Sequence, residues 1–480
     1  MAGEPNLKDP VPDNLTWHGV TLYGVIDIDY AYMAHGAPLN GALPTGLTYN
    51  AISTAKNANK PISSLAESGL EPNKAGIKIE EPAPGAWTIV GRLEGAFQPL
   101  SGELADYCAS MARNNGIPLA AQTSNLNGSR CGQFFNGQAY AGVSSVTYGT
   151  LTAGWQHSLG LDATAVYDPM ALSSAFSLIG GANASVSAFG NAEEARWANS
   201  VKYVYEYGPA HAGAMYTGGG EGTAMFGGGY GFDAGATWRG FSLDAVYAKQ
   251  NGAIYTSPIP YSTSGAIGTC NATGMGGGNA CPGSSFINGT VLDGEGWAAM
   301  GKYTHDFSGR DESPGGKLSL FTGYAHMQLT DSHQQVASGS HTLGGYELYS
   351  VNNQPFAPGS ARIVQIAWTG ARYVLPSGMT FAAAYYYVNQ QAYLTSDPPG
   401  SNNCAAVTAA NKRKPAFVGF PTGVNCPGEQ TMEAFLVDYP FSKHIDIYGG
   451  VNHSQITGGL TSGYLSSSDT VFLSGLRVKF

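Results

Sequence analysis

The 480-residue chain carries 23 basic and 33 acidic side chains, and the resulting formal charge of −10 speaks against a nucleic-acid-binding role. Charged residues make up 12% of the chain, about half the usual quarter, while the 67 glycines are about twice the usual share. No run approaches the ~18 apolar residues of a helical membrane span, so if the chain crosses lipid it must do so as a closed β-barrel, the other architecture that satisfies every backbone polar group internally.

Alternation with period two dominates the sequence. In 18–32, Val20, Leu22, Ile26 and Ile28 share one parity and Tyr23, Asp27 and Asp29 the other. The segment reads as a strand with one apolar and one polar face. The same pattern predicts strands at 74–81, 86–99, 137–146, 148–157, 196–208, 213–219, 228–239 and 241–255. It continues at 290–306, 317–331, 361–375, 379–393, 429–441, 444–456 and 469–480, sixteen strands in all. Two of them, 74–81 and 213–219, fall short of the about 9–11 residues a membrane strand needs. In the last strand Phe472, Leu476, Val478 and Phe480 share one face, and Arg477 and Lys479 the other.

The connections alternate between short and long. Short ones fall at Pro82–Gly85, Thr147, Gly208–Ala212, Gly240, Phe307–Gly316, Pro376–Gly378 and Phe441–Lys443. Long ones span 33–73, 100–136, 158–195, 220–227, 256–289, 332–360, 394–428 and 457–468. Such sorting by parity describes an all-β transmembrane antiparallel barrel with short periplasmic turns and long external loops. Residues 18–480 then form a single barrel domain behind an N-terminal extension, 1–17. The start, Met1-Ala2-Gly3-Glu4, lacks a basic and apolar leader and reads as a mature form with an added initiator Met.

All six cysteines fall in long loops: Cys108 and Cys131, Cys270 and Cys281, Cys404 and Cys426. Of the 15 possible pairings, one keeps every bridge within its own loop, and that pairing is expected. No close Cys pair or Cys–His cluster has zinc spacing, the ten histidines show no HExxH pattern, and no metal or cofactor is expected. The glycine runs at 218–222 and 227–231 precede no Lys-Ser/Thr and no helix, so they read as a loop between strands. His157-Ser158 has no nucleophile elbow around it, and Lys412-Arg413-Lys414 reads as a solvated run in a loop. No enzymatic activity is expected. Tyr203, Tyr205 and Tyr207 suit an interfacial girdle, and of Tyr385, Tyr386 and Tyr387 at least one must face inward.

Several segments resemble the trimeric, sixteen-stranded general-diffusion porins of Gram-negative bacteria. Gly19-Val-Thr-Leu-Tyr-Gly-Val-Ile-Asp resembles that family's first strand and Lys74-Ala-Gly-Ile-Lys-Ile-Glu-Glu its second. Gln138-Ala-Tyr-Ala-Gly-Val, Tyr148-Gly-Thr-Leu-Thr-Ala-Gly and Arg196-Trp-Ala-Asn-Ser-Val-Lys-Tyr resemble the fourth to sixth. Tyr439-Pro-Phe-Ser-Lys, running into Ile447-Tyr-Gly-Gly-Val-Asn, is similar to the hairpin before the last strand.

The resemblance implies a water-filled channel for passive diffusion of small hydrophilic solutes and ions. It also implies a homotrimer in the outer membrane of a Gram-negative bacterium, in contact with lipid and lipopolysaccharide. Its third long loop, here about 158–195, is expected to fold into the pore. That loop would set Asp162, Asp168, Glu193 and Glu194 against basic wall residues. Lys74 and Arg196 fill that role by motif position, Lys78 and Arg92 by strand parity. The sequence departs from the pattern at Gly154-Trp155-Gln156, where Trp155 stands in place of a wall cation and is expected in the pore. It departs again at Tyr167-Asp168-Pro169-Met170 in the inward loop. The bulk charge of −10 suggests cation preference. A carbohydrate-selective channel is the nearest alternative, followed by a plugged barrel acting as an adhesin or receptor.

Overall fold

The computed structural model describes residues 15–35, 61–105, 133–179, 196–218, 228–260, 285–307, 315–333, 342–343, 346–347, 350–352, 356–394, 425–459 and 468–480. Glu193, Glu194, Cys108, Cys131, Cys270, Cys281, Cys404 and the basic run at 412–414 lie outside the described residues.

Sixteen strands form the wall. They are β1 (Val20–Met33), β2 (Lys74–Ala83), β3 (Trp87–Gln98), β4 (Gln138–Ser145), β5 (Gly149–His157) and β6 (Arg196–Tyr207). Next come β7 (Ala210–Gly218), β8 (Gly228–Trp238), β9 (Phe241–Pro260), β10 (Ser285–Asp306) and β11 (Lys317–Asp331). The last five are β12 (Arg362–Val374), β13 (Thr380–Gln390), β14 (Gly428–Pro440), β15 (Ile445–Gly458) and β16 (Ser468–Lys479). Each pairs antiparallel with the next, and β16 returns to β1 in register from Val25↔Lys479 to Met33↔Val471. A closed sheet leaves no free edge to lipid.

The alternating residues explain the closure. On β1, Tyr23, Val25, Asp27, Asp29, Ala31 and Met33 are buried inward, while Leu22, Tyr30 and Tyr32 are exposed outward. On β16, Arg477 is buried inward and Phe472 and Leu476 stand outward. Exposed aromatics gather at two levels. Tyr148, Tyr207, Trp238, Phe241, Phe307, Tyr439 and Phe441 sit near the short turns, and Tyr30, Tyr32, Tyr216, Tyr230 and Phe472 toward the long loops. Such paired belts mark the two interfaces of a membrane.

The expected elements differ from the observed ones mainly at their ends. The two strands predicted short are longer, Lys74–Ala83 and Ala210–Gly218. In the second case Ala210, His211 and Ala212 pair fully with β6, and the turn contracts to Gly208 and Pro209. Alanines on the lipid face hid that alternation. β1 also divides its pairing. Val20–Val25 pair with β2, whereas Ile28–Met33 pair with a short strand, Ile62–Glu67, outside the sixteen. Thr16 and Trp17 fold back on Thr21 and Val20.

At the seam the last residue is fastened to β1. Gly24 donates to the Phe480 carbonyl (2.8 Å), and Phe480 N–H donates back to Gly24 (3.1 Å). The Phe480 ring lies over Gly24, where a Cβ would sit 2.4 Å from Cζ. Glycine is the residue that leaves room for the ring. Gly24→Val should therefore destabilise the barrel by about 1–3 kcal/mol through overpacking, seen as a lower urea midpoint in lipid vesicles. Adding Phe480→Ala should recover part of that loss; full additivity of the two substitutions would show that the ring and Gly24 are not in contact.

Candidate functional site

The connection from β5 to β6 enters the barrel. It opens with helix α1 (Leu159–Tyr167), capped by Ser158, whose Oγ accepts from Leu161 N–H, and with Asp162 in the first turn. A small N-cap side chain followed by an acid in the first turn is a helix-start signal. Leu159, Ala163, Thr164 and Tyr167 are buried, and α1 lies against β7–β11.

Inward side chains of the wall hold this segment along its length. Tyr167 Oη and Ser242 Oγ are 2.6 Å apart. Trp368 Nε1 donates to the Tyr167 carbonyl (3.0 Å). Arg372 donates through Nη2 to the carbonyls of Pro169 (2.7 Å) and Asp168 (3.1 Å). Tyr386 donates to Asp168 Oδ1 (2.5 Å), and Leu172 N–H donates to Oδ2 (2.6 Å). Asn452 donates to the Ala175 carbonyl. The segment thus threads the lumen from β5 round to β15.

A charged belt faces the start of α1. Lys202 Nζ donates to Asp162 Oδ2 (2.9 Å), and His157 Nδ1 lies 3.1 Å from Oδ1. Partial desolvation inside the barrel pushes the Asp162 pKa upward, but Lys202 and then His157 outweigh it and hold the carboxyl well below the usual range. Arg196 lies within electrostatic reach of Glu94 and Asp162. Arg92 Nε donates to Tyr23 Oη (2.8 Å), and Tyr23 Oη donates to Glu94 (2.9 Å). Lys74 bridges to Glu71 at 2.8 Å.

A second cluster lies inside the seam. Residues 68–73 turn into the lumen, where Asp27 accepts from the backbone N–H groups of Leu70 (2.9 Å) and Glu71 (2.8 Å) and from Tyr448 Oη. Gly69 N–H donates to Asp29 (3.0 Å). Arg477, buried, donates to Asp446 through Nε (2.9 Å) and Nη2 (2.7 Å), and reaches Asp438 and Glu71 at 3.3 and 3.4 Å. The guanidinium fork balances several buried carboxylates at once.

The candidate residues of the sequence are therefore distributed. Lys74, Arg92, Asp162 and Arg196 belong to one belt. Lys78 pairs with Glu80 (2.8 Å) nearer the short turns. Asp168 is fully buried and fastens the loop rather than facing solutes. Trp155 is not brought into the belt. It stands opposite Ala139 in a regular β4–β5 register, in step with the outward Val143 and Leu151. A bulge between Gly154 and Gln156 then shifts the β5–β6 register, which a parity count does not reveal. Tyr386 is the inward member of its triplet; Tyr385 is exposed. Cys426 is disulfide-bonded, with its partner outside the described residues. Glu94, absent from the sequence candidates, shares the polar face of β3 with Arg92, and that parity was the available signal. Lys202, also absent, is separated from Arg196 by the irregular β5–β6 register, which parity does not bridge. Among the described residues, one trio of metal-ligating type occurs: His211, Asp233 and Asp244.

The family profile described as Gram-negative porin matches residues 9–309. The chain belongs to the Gram-negative porin family. Among solved structures, the porin resembles the anion-selective porin of Comamonas acidovorans at TM-score 0.55 and 13% identity, covering 96% of this chain and 99% of that one. It also resembles OmpT of Vibrio cholerae in trimer form, at TM-score 0.52 and 13% identity with coverage of 96% and 99%. A loop L8 deletion mutant of OmpT gives TM-score 0.53 at the same identity and coverage. At such identity the likeness is one of fold. No curated protein matches. Family and closed barrel together make the porin an outer-membrane diffusion channel of a Gram-negative bacterium.

Two outcomes follow for the lumen. Asp168→Ala removes a buried acceptor of two hydrogen bonds and should cost about 2 kcal/mol or more. Single-channel recordings should then show added open-state noise, and a trace as quiet as wild type would mean that the loop is held without Asp168. Because the Asp162 pKa is depressed by folding, its contribution is present at neutral pH and is lost only as pH falls through a value below the usual one. Lys202→Met should move that acid transition in conductance toward higher pH.

Proposed function

We propose that the porin is a general-diffusion channel whose passage is narrowed by the inward loop at about 158–195, within one barrel domain spanning 18–480 behind a 1–17 extension. The observation that carries this reading is the mooring of Tyr167, Asp168 and Ala175 to inward side chains of β9, β12, β13 and β15. A segment so held reduces the cross-section of the lumen, and passage needs no catalytic step. Transverse charge in a low-dielectric frame orients polar solutes and discriminates ions.

We assign Lys74, Arg92, Asp162 and Arg196, with Lys202 and Glu94, to the narrow zone. Lys78 belongs to the wall nearer the short turns, Asp168 to the mooring of the loop, and Glu193 and Glu194 to its far part. Glu94 and Glu71 are buried beneath their cationic partners, whereas Asp162 is half exposed. Four cations, Lys74, Arg92, Arg196 and Lys202, thus stand against Glu71, Glu94 and Asp162, of which only Asp162 is more exposed than its basic partner, so the balance of charge in the zone is cationic. This supports a weak anion preference, opposite in sign to the bulk charge, because distant loop charges are screened over about 10 Å. Assembly as a homotrimer within lipid and lipopolysaccharide, and loop-confined disulfides at Cys108–Cys131, Cys270–Cys281 and Cys404–Cys426, complete the proposal.

Liposome swelling with sugars of graded size tests the channel directly. Rates should fall smoothly with solute size and show no saturation; absence of swelling overturns the reading. Reversal potentials in a potassium chloride gradient should have the anion-selective sign, and Lys74→Glu with Arg196→Glu should invert it. A cation-selective wild type would remove the belt from control of selectivity.

A further inference from the structure

On the wall beneath α1, in the half of the barrel nearer the short turns, three strands bring together a histidine and two aspartates. His211 in β7 stands opposite Gly235 in β8, and Gly235 opposite Asp244 in β9. Asp233 is the next inward residue of β8, opposite Gly213 and Val246. The three side chains converge over Gly235. His211 Nε2 lies 3.1 Å from Asp244 Oδ2 and 3.5 Å from Asp233 Oδ2. Ligand atoms about 2.0–2.1 Å from a tetrahedral ion stand about 3.3 Å apart, so the two distances bracket the edge such an ion requires.

Two further observations point to a ligand. Oδ1 of Asp233 and Oδ1 of Asp244 are both buried with no hydrogen-bond partner, and the Asp244 side chain is only 4% exposed. Two half-satisfied carboxylates held this close are costly unless a cation sits between them. The backbone also makes room. A Cβ at Gly235 would lie 2.5 Å from His211 Cε1 and 3.0 Å from Asp244 Oδ2, and one at Gly213 would lie 2.0 Å from Asp233 Oδ1. His211 is 31% exposed, which leaves a path from the lumen.

We propose that His211, Asp233 and Asp244 bind one divalent transition-metal ion, with zinc the best fit, in the wall of the pore. An imidazole beside two carboxylates favours zinc-like ions over calcium or magnesium, which take all-oxygen shells of six or more ligands. Three protein ligands leave the fourth position open to lumen water. Binding replaces two negative charges by a neutral site, so the ion regulates the field met by solutes after the narrow zone. The ligands stand 22 and 11 residues apart in the chain and meet only through strand register, so no spacing motif announces them.

The competing account is a protonated His211 bridging both carboxylates with no metal. Purified porin stripped with chelator and titrated with zinc chloride separates the two. Metal analysis after dialysis should find one zinc per chain. Asp244→Asn, Asp233→Asn and His211→Ala should each weaken binding by about tenfold or more, and excess calcium should not compete. Far-UV circular dichroism confirms that each variant is folded, and the near-isosteric asparagine variants remain informative if the alanine variant is not. In single-channel recordings zinc should change wild-type conductance reversibly with chelator and leave Asp244→Asn unaffected. Wild type holding no more zinc than the triple variant, or single variants with wild-type affinity, would overturn the proposal and leave an ion pair only.

Discussion

Every other feature of this porin depends on the pairing of β16 with β1. Lipid offers no hydrogen-bond partners, so a single unpaired edge would expose a row of N–H and C=O groups at a cost no side chain can offset. Closing the ring satisfies them all and fixes which parity of each strand faces water. From that parity follow the polar lumen, the outward aromatics and the glycine that receives Phe480. β1 bears the greatest demand. It pairs with β16 along one edge and with β2 and then Ile62–Glu67 along the other.

Inside the ring, the same geometry concentrates charge. Strands at a wall spacing of about 4.8 Å bring inward residues of neighbouring strands into direct contact. Carboxylates would repel one another there without partners. The structure resolves this in two ways. Around Glu94 and Asp162 it sets cations from β2, β3 and β6 against acids, with Lys74 and Arg92 nearer the water than Glu71 and Glu94, and Asp162 nearer the water than Lys202. Around Asp27 and Asp446 it uses Arg477, Tyr448 and the backbone N–H groups of residues 70 and 71. The first arrangement faces solutes; the second is sealed and consolidates the seam.

Much of the fold was legible in the sequence because period-two alternation and connection length are local properties. Strand number, order and facing could be read residue by residue, as in Val20, Leu22, Ile26 and Ile28 against Asp27 and Asp29. The lumen was less legible because its contacts join residues far apart. Lys202 and Asp162 are 40 positions apart, and Tyr386 and Asp168 are 218 apart. Asp168 read as a pore acid, yet its carboxylate is spent on Tyr386 and Leu172. Trp155 read as a pore aromatic, yet its register with Ala139 turns it outward. The inward turn at 68–73 has no periodic signature, since its shape comes from hydrogen bonds to Asp27 and Asp29 on another strand.

The manner in which the wall grips the inward segment has an evolutionary consequence. Trp368, Arg372 and Asn452 each grasp a main-chain carbonyl, of Tyr167, of Asp168 and Pro169, and of Ala175. A carbonyl is common to all residue types, so this clamp is blind to side-chain identity at those positions. Apart from Tyr167 and Asp168, whose own side chains also fasten the segment, mutations along it can accumulate without breaking these carbonyl contacts. Lineages carrying this scaffold can therefore explore new lumen surfaces one substitution at a time, with the architecture held constant.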